Sequence, residues 1–177
     1  IKDILHAVQL WECEAEHCSS KPVWGMLGYM PVLPGPCSLY RVDDIQGLCL
    51  DEYFRLASAR SCDVGLIEAN LKLAEDRIPS FFSVFKNGSG KKAAWVSSAP
   101  YFVEAELSVR SLVAQRRRWI NGAWAGSIFT LSNVRILLNS EHETLFKVAI
   151  VLMMLLQQAS YLVTWLAPAI FGTAFNY

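Results

Sequence analysis

Gln115-Arg116-Arg117-Arg118-Trp119 is the stretch around which the chain is read. On a helix turning about 100° per residue, Gln115 and Trp119 are four apart and share a face. Three successive arginines sweep through about 200° between them, so at least one lies on that face whatever the rotation. An amide, a flat indole and a fixed guanidinium fork suit a sugar joined to a diphosphate. Aromatic faces stack on sugars, and guanidinium pairs with phosphate oxygens. The same arginines also suit solvent or a membrane edge under the positive-inside rule, and the two readings are compatible.

After this stretch the sequence reads as the approach to a bilayer. Ile120 to Leu138 carries Trp124, Ile128, Phe129, Leu131, Ile136 and Leu137 against one charge, Arg135. Asn121, Ser132 and Asn133 interrupt the run, so residues 120–139 are expected to form an interfacial helix rather than a full span. A buried core helix is the competing reading. Asn139 to Glu143 is a polar break, and residues 145–177 form the expected transmembrane region. Within it, Val148 to Pro168 carries no charge, and about twenty residues at 1.5 Å each cross a hydrocarbon core of about 30 Å. Gln157 and Gln158 fall at mid-depth and should face other helices or a wet cavity. Trp165 and Tyr177 suit an interface, and Lys147, Arg135 and the arginine triplet assign that end to the cytoplasm.

Before the stretch, residues 1–119 read as the latter half of a soluble catalytic domain. Ile1 to His17 is a predicted helix on the spacing of Ile4, Val8 and Trp11, with Gln9 and Glu12 three apart, and Ser19-Ser20-Lys21-Pro22 breaks it. Tyr29 to Arg41 holds two β-like runs around Leu33-Pro34-Gly35-Pro36, the second being Cys37 to Arg41. Asp43 to Ala59 is one helix, or two parted near Gly47. Leu66 to Ala74 is another, ending at Glu75-Asp76-Arg77-Ile78-Pro79. Pro79 can occupy the first turn of the next helix, through Phe81, Phe82 and Phe85 to Lys86. Asn87-Gly88-Ser89-Gly90 is a turn, Ala93 to Ala99 a strand through Trp95 and Val96, and from Ser108 a helix carries Leu112 and Val113 into the arginines. Alternating helices and strands point to an α/β layer fold.

Composition narrows the function classes. Sixteen basic and sixteen acidic residues balance, so no global field draws the chain to nucleic acid. The apolar share is 53%, high for a soluble domain and consistent with a membrane part. Five cysteines, an odd count without a C-x-x-C pair, argue for a reducing setting and ordinary buried thiols. Cys13 and His17 have a legal metal spacing, but no second ligand pair accompanies them. Ile1-Lys2-Asp3 shows no initiator Met or signal pattern, and the chain reads as an internal segment of a longer protein.

Glu75-Asp76-Arg77 joins two carboxylates to a guanidinium at a helix junction. A carboxylate at an element end can project into a cleft as general base for a hydroxyl nucleophile; a surface ion pair is the plainer alternative. The order of segments shifts the balance toward the first. Gln9-Leu10-Trp11-Glu12 resembles a Q-x-x-E motif, and Leu33 to Arg41 resembles an LPG…S-x-Y-R segment. Glu75-Asp76-Arg77 resembles E-D-R, and Gln115 to Trp119 reproduces Q-R-R-R-W, followed by Ile120-Asn121-Gly122. These are motifs of the processive family 2 glycosyltransferases, and among them of the chitin synthases above all. Cys13, Pro36, Cys37 and Pro79 depart from the usual pattern.

The resemblance covers nearly the whole chain and implies a truncated GT-A-like half, followed by interfacial and transmembrane helices. It implies inverting transfer of N-acetylglucosamine from UDP-N-acetylglucosamine to a growing β-1,4 chitin chain. Asp76 would be the catalytic base; Glu75, Arg77, Gln115, Arg118, Trp119, Gln9, Glu12 and Ser38 would contact substrate. No D-x-D triplet occurs. The Mg or Mn of the full-length enzyme would therefore be bound upstream of Ile1, with none held by these residues, and the fragment alone would be inactive. Expected partners are the nucleotide sugar, the chitin chain and the bilayer, with a homodimer left open. The expected setting is a multi-pass plasma-membrane protein with its catalytic part in the cytosol. A synthase of another β-linked polymer such as hyaluronan, or an inactive membrane scaffold, remain the alternatives.

Overall fold

The computed structural model describes residues 2–33, 37–60, 63–86, 90–99 and 101–174, in two compact units, Ile1–His142 and Glu143–Tyr177. The Pro34-Gly35-Pro36 turn, Asn87-Gly88-Ser89, Cys62, Tyr177 and the Trp165 side chain lie outside what is described.

In the first unit α1 (Lys2–Cys18) is followed at once by α2 (Ser20–Leu27). Ser19 breaks the helix as expected, but Ser20, Lys21 and Pro22 form the first turn of the next one, because proline is tolerated there. Gly28 closes α2 at φ 82°, its N–H on the Gly25 carbonyl and that of Tyr29 on the Trp24 carbonyl. This left-handed cap needs glycine. Then come α3 (Val42–Ile45), α4 (Leu48–Ser58), α5 (Leu66–Leu71), a 3₁₀ turn at Lys72–Ala74 and α6 (Arg77–Phe85). Gly47 divides the Asp43–Ala59 segment in two, and Pro79 falls within the first turn of α6.

The expectation of an α/β, GT-A-like half is overturned: among the described residues every regular element is helical and no strand forms. The segments expected as strands form no ladder, and two of the backbone N–H groups there bond elsewhere. Leu33 N–H donates to the Ser80 hydroxyl at 2.7 Å, and Ala93 N–H to the Gly28 carbonyl at 2.8 Å. Alternation in sequence specifies extended backbone; a strand also needs a neighbour in register to take its N–H and C=O groups.

Helix α6 is the centre of the core. Ile78, Ser80, Phe81, Phe82, Val84 and Phe85 are all buried. Phe81 and Phe82 meet Phe129 edge-on at 6.0 and 6.1 Å, and Tyr29 meets Phe85 at 4.9 Å. Against this core lies α7 (Val109–Ser132), followed by α8 (Val134–Leu138). The Ser108 hydroxyl caps α7 by accepting from the Ser111 N–H at 3.1 Å. The helix then runs unbroken through the arginines, and its later half buries Gly122, Ala123, Ala125, Gly126 and Thr130. Part of the polar break is buried too. The His142 imidazole pairs with the Val84 carbonyl at 3.0 Å and stands edge-on to Phe85.

The second unit contains α9 (Thr144–Ala174). Its segment Thr144–Val163 is the one helix among the described residues long and apolar enough to cross a membrane. Gln157 turns its amide to the Tyr161 hydroxyl of the same helix, at 3.1 Å. Of the described cysteines only Cys49 is buried, and burial pushes its thiol up to about 11; Cys13 and Cys18 are exposed.

Candidate functional site

The acidic motif fills the turn between the 3₁₀ segment and α6. Asp76 is the residue before the helix, and its carbonyl accepts from the Ser80 N–H and hydroxyl at 3.3 and 2.8 Å. The three motif side chains diverge. Glu75 is exposed and lines an open cleft of about 190 Å³ with Tyr53, Leu56, Ala57 and Lys72. Arg77 turns inward toward α7 and the buried Tyr29, and its Nε is enclosed without a hydrogen-bond partner. The Asp76 carboxylate lies within electrostatic reach of Tyr40.

Tyr40 is the residue that links this turn to the Leu33–Arg41 segment. Burial raises its phenol pKa most; the nearby Ser80 and Ser38 hydroxyls lower it, and the Asp76 carboxylate raises it. Its oxygen lies beside both serines yet meets neither at hydrogen-bond geometry. Ser38 and Tyr40 of one motif thus come near Ser80 of α6, with the Asp76 carboxylate within electrostatic reach of the phenol. A carboxylate with neighbouring hydroxyls is suited to accepting a proton from an alcohol.

The arginine stretch forms the second cluster, and its geometry differs from expectation. Arg116, not chosen from the sequence, is the arginine on the Trp119 face: its guanidinium lies 4.3 Å from the indole centroid and its Nη2 meets Glu12 Oε2 at 2.6 Å. Spacing alone allowed this, since residues three apart on a helix are neighbours. Arg117 and Arg118 are exposed, and Trp119 is 47% exposed. The Gln115 amide nitrogen approaches Glu106 Oε1 at 3.4 Å, while its carbonyl oxygen is enclosed without a partner. Gln9 is only 7% exposed. It donates to the Leu5 and Glu106 carbonyls at 2.9 and 3.0 Å and accepts from the Glu106 N–H at 3.0 Å, which leaves its amide occupied by protein.

Helix α7 joins the two clusters. Gly122, one turn beyond Trp119, packs against Ala74, and Gly126 against Arg77; a Cβ at either position would collide with those side chains. Ala74 and Arg77 bracket Asp76, so the arginine helix and the acidic turn are packed directly against one another. Tyr40, Ser80, Glu106 and Arg116 were not singled out as site residues from the sequence. Their signal was the proximity of motif residues in the fold.

His17 is held by the protein as well. Its Nδ1 pairs with the Cys13 carbonyl at 2.5 Å, and its ring packs on Trp95 and Tyr101 at 5.1 and 5.8 Å. Among the described residues no three His, Cys, Asp or Glu side chains assemble a metal site.

A family model described as chitin synthase-like glycosyltransferase domain matches residues 3–134. Chitin synthase 3 of Verticillium dahliae is 31% identical, with 97% of this chain and 20% of the relative aligned. Chitin synthase A of Ampelomyces quisqualis is 30% identical over the same shares. Chitin synthase 7 of Cryptococcus neoformans var. grubii is 31% identical over 93% of this chain and 19% of the relative. The chain spans about a fifth of the length of these curated relatives. With the four motifs in order and the match running from α1 through α7, the chain belongs to the chitin synthase-like glycosyltransferase family.

Proposed function

We propose that this chain carries the acceptor-activating and donor-holding part of a synthase that adds N-acetylglucosamine from UDP-N-acetylglucosamine to a β-1,4 chitin chain. The acceptor 4-hydroxyl attacks the anomeric carbon from the face opposite UDP. The bond to the diphosphate oxygen breaks as the new glycosidic bond forms, and Asp76 takes the hydroxyl proton. One such displacement inverts the anomeric centre. Negative charge grows on the departing diphosphate, so a guanidinium beside it stabilises the transition state more than the ground state. Arg118, exposed on the helix that carries Trp119, is assigned that role, with Gln115 beside it and Trp119 stacked on sugar. Glu75 and Ser38, near Asp76, are assigned as further substrate contacts, whereas Arg77, turned inward, braces the acidic turn against α7.

The observation that carries this reading is the seating of Gly122 and Gly126 on the residues that flank Asp76, which ties the arginine helix to the candidate base. The apolar α9 supports a membrane setting, with the growing chain delivered to a transmembrane path. The multi-pass plasma-membrane location, the cytosolic catalytic part and a homodimer belong to the same proposal.

Asp76→Asn in the full-length protein tests the base. Removing a general base is expected to lower radiolabel incorporation from UDP-N-acetylglucosamine in isolated membranes by about a hundredfold or more. Synthesis near the wild-type rate would exclude Asp76 from that role and favour the inactive scaffold. Digestion of the product by chitinase separates chitin from another β-linked polymer.

A further inference from the structure

The arginine that lies against Trp119 is not the exposed Arg118 but Arg116, and it is gripped from another helix. Its guanidinium covers the indole at 4.3 Å while Nη2 holds Glu12 at 2.6 Å. Arg116 keeps 22% of its side-chain exposure and Glu12 49%, so the pair is sheltered on the arginine side and open to water on the carboxylate side. One turn earlier on α1, Gln9 clamps both backbone groups of Glu106, and the Glu106 carboxylate receives the Gln115 amide. Two polar residues of α1 therefore hold two consecutive residues of the arginine stretch, one directly and one through Glu106. The apolar residues of α1, Ile4, Val8 and Trp11, contribute little to this grip, because all three are exposed.

We propose that Glu12 and Arg116 are a positioning pair that sets the plane of the Trp119 ring, leaving the opposite ring face for a sugar. This rests on reading Trp119 as a sugar contact. A planar cation stacks on one face of an indole and restricts its rotation, and a carboxylate anchoring that cation fixes the pair to α1. Lysine can keep the ion pair but cannot present a flat surface to the ring. Neither Glu12 nor Arg116 touches substrate in this arrangement. Both act through Trp119.

The test uses the full-length protein in isolated membranes, with rates normalised to its level and the donor KM measured separately from turnover. Arg116→Gln is expected to lower turnover about tenfold with the donor KM within about twofold, since a stacking contact of this kind is worth about that ratio. Glu12→Gln should cost about threefold, and Arg116→Lys should rescue the Arg116→Gln loss only in part. The double variant Glu12→Gln/Arg116→Gln should be no worse than Arg116→Gln alone, because the two act as one unit. Losses that multiply in the double variant would overturn the pairing. So would an Arg116→Gln protein with unchanged turnover and a donor KM raised about tenfold, which would put Arg116 on the diphosphate. If Arg116→Gln fails to accumulate, the near-isosteric Glu12→Gln and the charge-retaining Arg116→Lys carry the test. Trp119→Ala separates the two levels: wild-type turnover in that variant sinks the underlying reading of Trp119. An inactive Trp119→Ala beside wild-type Glu12→Gln and Arg116→Lys sinks the positioning pair alone.

Discussion

Helix α6 buries six of its nine residues, whereas α1, seventeen residues long, buries Gln9 alone among its described side chains. Helix α6 is held by area: its phenylalanines lock into a ring cluster with Phe129, Tyr29 and His142. Helix α1 is held by direction, through the Gln9 clamp and the Glu12–Arg116 ion pair. Burial supplies most of the stability of a fold, while hydrogen-bonded polar links supply little net energy but one specific geometry. The difference suggests a division of labour: α6 keeps the unit folded, and α1 keeps the arginine stretch aligned.

Substitutions of graded effect sharpen or break that contrast. Phe81→Ala should be the most damaging, at about 3–5 kcal/mol for a large-to-small change in a packed core. It is measured as loss of steady-state level in membranes and of folded protein on heating in detergent. Gln9→Ala should cost about 1–3 kcal/mol, because it strands the Glu106 N–H and carbonyl that the amide satisfies. Its turnover should also fall, and restoration by Gln9→Asn would show that the amide need not reach Glu106 at this distance. Trp11→Ser should fall within about 0.5 kcal/mol of wild type, since Trp11 is 72% exposed. A Trp11→Ser loss as large as that of Phe81→Ala would erase the contrast and show that the α1 stripe is covered in the intact protein.

Much of the chain was legible where local chemistry decides. Gly47, Pro79 and Ser108 mark helix boundaries in the sequence and in the fold, because each acts through its own backbone or side chain. The four motifs were likewise legible, being short runs of chemically distinctive residues. What was not legible depended on partners distant in sequence. Cys37–Arg41 and Ala93–Ala99 have the alternation of strands but no strand neighbour among the described residues. The Ile4-Val8-Trp11 stripe has the right period for a core face, yet Gln9 is the residue that turns inward. His142 and Ser140 lie in a polar break and are buried all the same, the first against the Val84 carbonyl.

By itself the sequence determined the family, the helix boundaries at Gly47, Pro79 and Ser108, the charge-free run of α9 and the presence of a carboxylate and an indole in recognisable motifs. Those follow from residue types and short spacings, which the backbone converts directly into local structure. Only the tertiary structure decided which arginine covers Trp119, what Gln9 is for and how the acidic turn meets the arginine helix. Those outcomes hang on contacts as long in sequence as Glu12 to Arg116 and Gln9 to Glu106, and on two glycines small enough to let α7 reach Ala74 and Arg77. A spacing rule reaches about one helical turn; beyond that, packing chooses.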